Sequence, residues 1–281
     1  MMNHRGYLSE MLLWRFGSGK TFVWLCLNLV YMDIYMAPVR AFAFAVGIKA
    51  TPYFLPFLLS DVYYLSIFML SVLYFFSDVP FLGRRQMYII IRMGRERWNT
   101  YNCIYILIAG FMIWLAAFGL NVLLLGGQVR FAPEWGKVIG TLAMTDAGVQ
   151  TQQMIALPYG TIANYEPIEF LMLSWLLSGL AISAVGMCMY CISLFAGRIC
   201  SAVAGSVLVI LPGIAAYLFA TPLNYVSPVS WMRIGVFKSG QIMRMPTMQY
   251  MIIVLIALLG IFVIVCNWKV KRMDLEWSEE G

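Results

Sequence analysis

Apolar residues along this chain gather into runs of about twenty, separated by short polar or proline-marked segments, and do not alternate at strand spacing. The runs fall at about 22–39, 53–76, 103–125, 170–195, 202–220 and 248–268. Each approaches the length a helix needs to cross roughly 30 Å of hydrocarbon. A helix meets its own backbone hydrogen bonds within one segment, so spans of this kind are predicted to be helical. The pattern predicts an all-α polytopic membrane protein, a single transmembrane domain over residues 1–281 with six transmembrane helices.

Between the runs lie shorter elements. Residues 7–16 read as an amphipathic helix along a membrane surface, and the first run reads as a retained span, because it is long for a cleaved leader and Arg40 interrupts the small-x-small pattern at Ala41-Phe42-Ala43. The connection 126–169 carries Gly126-Gly127, Pro133, Pro158 and Pro167 as breaks, with a short helix expected around 138–144. In the connection 221–247, Pro222, Ser227-Pro228 and Pro246 bracket a segment where Trp231, Ile234 and Phe237 recur at helical spacing, with Arg233, Lys238 and Gln241 between them. It reads as a short interfacial or re-entrant helix, or as an ordinary exposed loop.

Composition agrees with the runs: 62% of residues are hydrophobic and 11% charged, too little polar material to cover a water-soluble fold. The net charge of +6 is explained by orientation and not by nucleic acid, since no basic stripe with interleaved aromatics lies outside the spans. With the N-terminus inside, Arg5, Arg15, Lys20, Arg84, Arg85, Arg92, Arg95, Arg97, Arg198, Lys269, Lys271 and Arg272 fall on the cytoplasmic side. The other seven Lys and Arg are spread over much longer outer connections, so both termini are expected in the cytoplasm. All six cysteines then lie in or beside the inner halves of spans, which suits reduced thiols.

Candidate chemistry is sparse. Gly17-Ser18-Gly19-Lys20-Thr21 imitates the end of a phosphate-binding loop, but Trp14 stands where its first glycine belongs and a membrane span follows. Cys188 and Cys191 share a helix face without a second pair, and the sole histidine, His4, sits in the tail, so no catalytic base, metal site or cofactor is expected. Asp33 and Asp61 are ionisable groups near the outer thirds of their spans. Such groups mark a substrate or ion pathway, or else cap a helix end or pair with Arg40. Ser174 with Ser178, Gly179 with Ser183, and Ser201 with Gly205 are small pairs four residues apart that permit close helix approach.

The connection between the second and third runs says most about function. Asp78 and Pro80 mark a helix start with Phe81 beside them, and a short apolar centre over Met87–Ile91, which includes Tyr88 and Ile90, is rimmed by Arg84, Arg85, Arg92, Arg95 and Arg97. One greasy face inside a basic rim is built to sit against another surface. Together with the six-run layout, the amphipathic N-terminus, Ser77-Asp78-x-Pro80-Phe81, Arg92-x-Gly94-Arg95 and the proline-broken segment before the last run, this resembles the type-2 ATP-binding-cassette (ABC) exporter permease family. The resemblance covers nearly the whole chain in layout, and the long connection 126–169 departs from it. It implies a permease in the cell membrane, not itself an enzyme, and a coupling helix over 80–97 docked on a separate cytosolic ATPase subunit. It also implies a re-entrant element over 227–243 containing Ser227, Pro228 and Trp231, and a second permease copy or paralogue. A secondary transporter is the alternative; it would need buried charge pairs or repeated broken helices, and no internal repeat is evident.

Overall fold

The computed structural model of this chain describes residues 4–80, 90–145, 148, 154–218, 221–237 and 245–272. Helix α1 (His4–Phe16) turns at Gly17 and Ser18 into α2 (Gly19–Val46). A single turn, α3 (Leu55–Leu58), precedes α4 (Val62–Phe76), and α5 follows over Arg95–Leu125. Next come α6 (Gly136–Met144), α7 (Tyr159–Asn164), α8 (Pro167–Tyr217), α9 (Thr221–Val226) and α10 (Met248–Arg272). The described residues are helical apart from turns, connections and one isolated bridge, Ala50 with Val129. Helices α2, α5, α8 and α10 are each long and apolar enough to cross a membrane.

Two of the apolar runs take a different form from a simple span. The run 53–76 is broken: Tyr53–Leu59 folds into a buried turn, and Asp61 begins a new helix by accepting the Tyr64 amide at 2.8 Å. The remaining helix of 15 residues is about 22 Å long, short of the roughly 30 Å of a bilayer core. The runs 170–195 and 202–220 are continuous in hydrogen bonding as α8 but are divided at Gly197, whose φ of 83° and ψ of 179° are open mainly to glycine. A side-chain carbon at Gly205 would lie 3.2 Å from Met189 Cγ, whereas sixteen residues of straight helix would hold the two about 24 Å apart. The chain therefore folds back on itself, and α8 is two limbs, 167–196 and 198–217.

Neighbouring segments alternate in direction. Trp24 meets Phe68 and Tyr31 stacks on Tyr64, so α4 runs antiparallel to α2. Asn102 and Gly110 of α5 meet Tyr190 and Gly179 of the first α8 limb, again antiparallel. Tyr217 returns to Tyr63, and Lys271 reaches Glu96 at 3.5 Å. One end of the bundle, here called basal, thus gathers the starts of α2 and α5, the turn at Gly197 and the end of α10. The distal end gathers residues 47–61, 126–166 and 218–247 where described.

The bundle is held by close approach and a few polar ties. A side-chain carbon at Gly110 would lie 2.7 Å from the Gly179 carbonyl oxygen and would clash with Ser183 Oγ. Ser183 Oγ donates to Gly179 O in its own helix at 2.7 Å and reaches Leu107 O across the seam at 3.1 Å. Nearer the basal end, Tyr190 donates to Asn99 Oδ1 at 2.8 Å, and Asn99 Nδ2 donates to Asn267 Oδ1 at 2.7 Å, tying α8, α5 and α10 together. Lys20 bonds Ser77 Oγ at 2.9 Å and pairs with Asp78, while Arg15 reaches Asp78 at 3.9 Å; these contacts close the base of α1, α2 and α4.

The seam makes a direct prediction. Gly110→Ala should destabilise the protein by about 1–3 kcal/mol through overpacking against a backbone carbonyl. Gly119→Ala, in the same helix with nothing within 4 Å, should be neutral or slightly stabilising. Thermal unfolding of the two variants in one detergent checks this; equal midpoints would show that α5 and α8 do not meet at Gly110.

Candidate functional site

The distal end is a folded cap whose aromatic centre is Trp135. Its indole packs against Tyr53, Phe57 and Phe170 with ring centroids 5.5–6.1 Å apart, and its N–H donates to Tyr165 O at 3.0 Å. Thr51 Oγ1 donates to Trp135 O at 2.6 Å and Tyr53 OH to Ala132 O at 2.6 Å, which fastens the connection after α5 to the turn before α4. Helix α6 lies in this cap with Val138, Ile139 and Leu142 buried on one face, where a short helix is expected from the sequence.

A strap over residues 227–237 completes the cap. It comprises two 3-10 turns, Val229–Met232 and Ile234–Val236; the rest of the proline-bracketed segment up to residue 244, for which a short helix or an exposed loop is expected, lies outside the described residues. The break falls at Arg233 (φ −82°, ψ 59°). Ser227, Pro228 and Trp231 are all buried. Ser227 Oγ accepts the Ser230 amide at 3.3 Å, and Trp231 donates its indole N–H to Asn224 O at 2.7 Å while meeting Tyr250 edge-on. Thr161 Oγ1 donates to Gly235 O at 2.9 Å and to Phe237 O at 3.3 Å, which sews the strap to α7.

Arg233, expected on the polar side of a helix, is only 6% exposed. Its Nε donates to Ser60 O at 2.9 Å, and the Gly235 amide donates to Ser60 Oγ at 2.8 Å. Burial pulls the guanidinium below its ordinary pKa, and the nearby Asp61 carboxylate opposes that shift. Asp61 Oδ1 accepts from the Tyr64 amide and from Tyr35 OH at 3.2 Å. Asp61 and Arg233 line a cavity of about 270 Å³ whose remaining wall includes Phe57, Tyr63, Pro158 and Tyr217. Opposite charges, three aromatic rings and a partly open mouth meet in this one concave space.

No protein-family model, curated protein or solved structure matches this chain. Its functional reading rests on this geometry and on the sequence.

The other candidate residues are dispersed. Asp33 pairs with Arg40 at 2.6 Å on the same helix, and Arg40 also donates to Leu124 O at 3.0 Å. Of the basic connection, Phe81, Arg84, Arg85 and Tyr88 lie outside the described residues. Pro80 is buried beside the Asp78 cluster, and the described residues 90–93 make a helical turn divided from α5 by Gly94 at φ 84°. Ile90 is 4% exposed and packs into the chain, while Ile91 is 75% exposed beside the exposed Arg92, Arg95 and Arg97. The outward apolar side chain of this turn is thus Ile91. Lys20 of the phosphate-loop-like run is committed to Asp78.

Sequence reasoning missed Arg233 with Tyr35, Tyr63 and Tyr217 as members of one site. One signal was present: a single cation inside Val229–Phe237, a stretch otherwise apolar apart from Ser230. Thr161→Val should leave two strap carbonyls without their donor and loosen the cap by about 1–3 kcal/mol. Hydrogen exchange should accelerate over residues 229–237 and stay unchanged in α5; no change in the strap would mean that Thr161 does not hold it.

Proposed function

We propose that this chain is the transmembrane permease subunit of an ATP-driven ABC transporter of the exporter type. In this reading it crosses the cell membrane six times with both termini in the cytoplasm, and a separate cytosolic ATPase subunit supplies the energy. The observation that carries the proposal is the turn at 90–93, set off from α5 by Gly94 at the basal end. It holds an exposed isoleucine among arginines, a hydrophobic anchor with a polar rim of the kind that docks into another protein.

Three further points support it. The alternation of α2, α4, α5, the two limbs of α8, and α10 suits six crossings, in which the turn before the short α4 would complete its span. Lys269, Lys271 and Arg272 close α10 at the same end as Arg92, Arg95 and Arg97, which suits a cytoplasmic face. Helices α5 and α8 approach too closely at Gly110 for a substrate to pass between them there, and in this reading a second permease copy or paralogue completes the pathway. Catalysis is assigned to the partner, and no cofactor is assigned to this chain.

Two experiments test the reading. A reporter active only in the cytoplasm should work when fused after Gly281 or at Gly83 and be silent at Gly148; activity at Gly148 would overturn the six-crossing topology. For docking, Ile91→Asp should release the co-purifying ATPase at normal membrane yield, because it sets an unpaired carboxylate in a desolvated contact. Ile90→Asp should instead lower the yield itself. Retention of the ATPase by the Ile91 variant would remove the main support for an ATP-driven permease.

A further inference from the structure

Three buried thiols from three helices gather towards the basal end. The Sγ atoms of Cys191 in the first α8 limb and Cys266 in α10 are in hydrogen-bond contact, and Cys103 of α5 is their near neighbour. All three are free thiols; Cys266 is fully buried, while Cys191 keeps 7% of its surface exposed. A polar tie holds the two helices in register where these cysteines meet. Tyr190 and Asn267, the chain neighbours of Cys191 and Cys266, both bond Asn99, at 2.8 and 2.7 Å. The buried residues of α10 are Met251, Leu255, Cys266 and Val270, so Cys266 is one of the few points at which this helix grips the bundle. Of the four long helices, α10 also keeps the smallest share of itself buried, which leaves it the freest to shift.

We propose that Cys191 and Cys266 form a redox-sensitive lock: a hydroperoxide closes them into a disulfide that fixes α10 to the first limb of α8, and a dithiol reductant reopens it. Cys191, the partly exposed member, meets the oxidant first. Its sulfur attacks the peroxide and takes up one oxygen as a sulfenic acid; the O–O bond breaks, and water or an alcohol leaves with the thiol proton. The Cys266 sulfur then displaces that oxygen, its own proton departs with the hydroxyl as water, and the S–S bond forms. Two electrons have passed from the two sulfurs to the peroxide. A disulfide requires a closer approach than a hydrogen-bond contact, and the sparsely buried α10 supplies it by a small shift. The product is neutral, as an apolar seam demands, whereas a metal ion held by two thiolates would bring charge into it. Among the described residues no three His, Cys, Asp or Glu are grouped to hold a metal ion. The lock stands independently of the permease reading.

The test treats the full chain in its membranes with hydrogen peroxide, in a background carrying Cys26→Ser and Cys200→Ser so that the two exposed thiols do not report. Peptide mass spectrometry after alkylation should find residues 191 and 266 joined, and dithiothreitol should separate them. The bond closes a long loop of chain, so the oxidised protein should unfold at least about 5 °C above the reduced protein, and Cys266→Ser should show no such rise. Cys266→Ser also removes the thiol that consumes the sulfenic acid. Dimedone should therefore label Cys191 at least tenfold more in that variant than with Cys266 in place. Cys103→Ser should leave the joined pair intact. A disulfide between Cys103 and Cys191, no disulfide at all, an unchanged unfolding temperature in the joined protein, or dimedone labelling of Cys191 that ignores Cys266 would overturn the proposal.

Discussion

The contact between α5 and the first limb of α8 is the constraint on which the rest of the bundle depends. Apolar helices surrounded by hydrocarbon gain little from hiding apolar surface, so they must be held by dense packing and by polar groups with nowhere else to bond. Gly110 and Gly179 supply the density by letting backbone approach backbone, and Ser183 adds a hydrogen bond across the seam to Leu107 O. With those two helices fixed, Asn99 lies between Tyr190 and Asn267 and draws in α10. The fold-back at Gly197 then lays the second limb along the first, with Gly205 against Met189 and Leu73.

The two ends of the bundle solve different problems. At the basal end, the cations of α1 and α2 converge on Asp78, which satisfies that carboxylate locally, and the turn at 90–93 rests on the bundle through Ile90 and Met93. At the distal end the connections are long, and their backbone groups need partners. The cap supplies them through side chains such as Thr51, Tyr53, Ser60 and Thr161, each bonding main chain from a distant segment. The cavity is a by-product of that stitching. Ser60 and Asp61 must end one turn and start α4, Arg233 must cross between two turns, and the space left between them carries both charges.

What could be read from the sequence alone was whatever depends on one stretch of chain. Run length reports helices because hydrocarbon thickness and helix rise are constants, so α2, α5 and α10 were legible, as was the short α6. The pairing of Asp33 with Arg40 was legible because both lie on one helix, and the small residues Gly179, Ser183 and Gly205 announced close packing without naming the neighbour. The tertiary structure decided everything that joins distant stretches: that Gly110 is the partner of Gly179, that α8 doubles back at Gly197, that Ile90 turns inward and Ile91 outward, and that Arg233 is buried beside Asp61. The reason is physical. Hydropathy measures how a residue partitions between water and oil, whereas the burial of an arginine depends on which carbonyl and which carboxylate the rest of the chain brings to meet it.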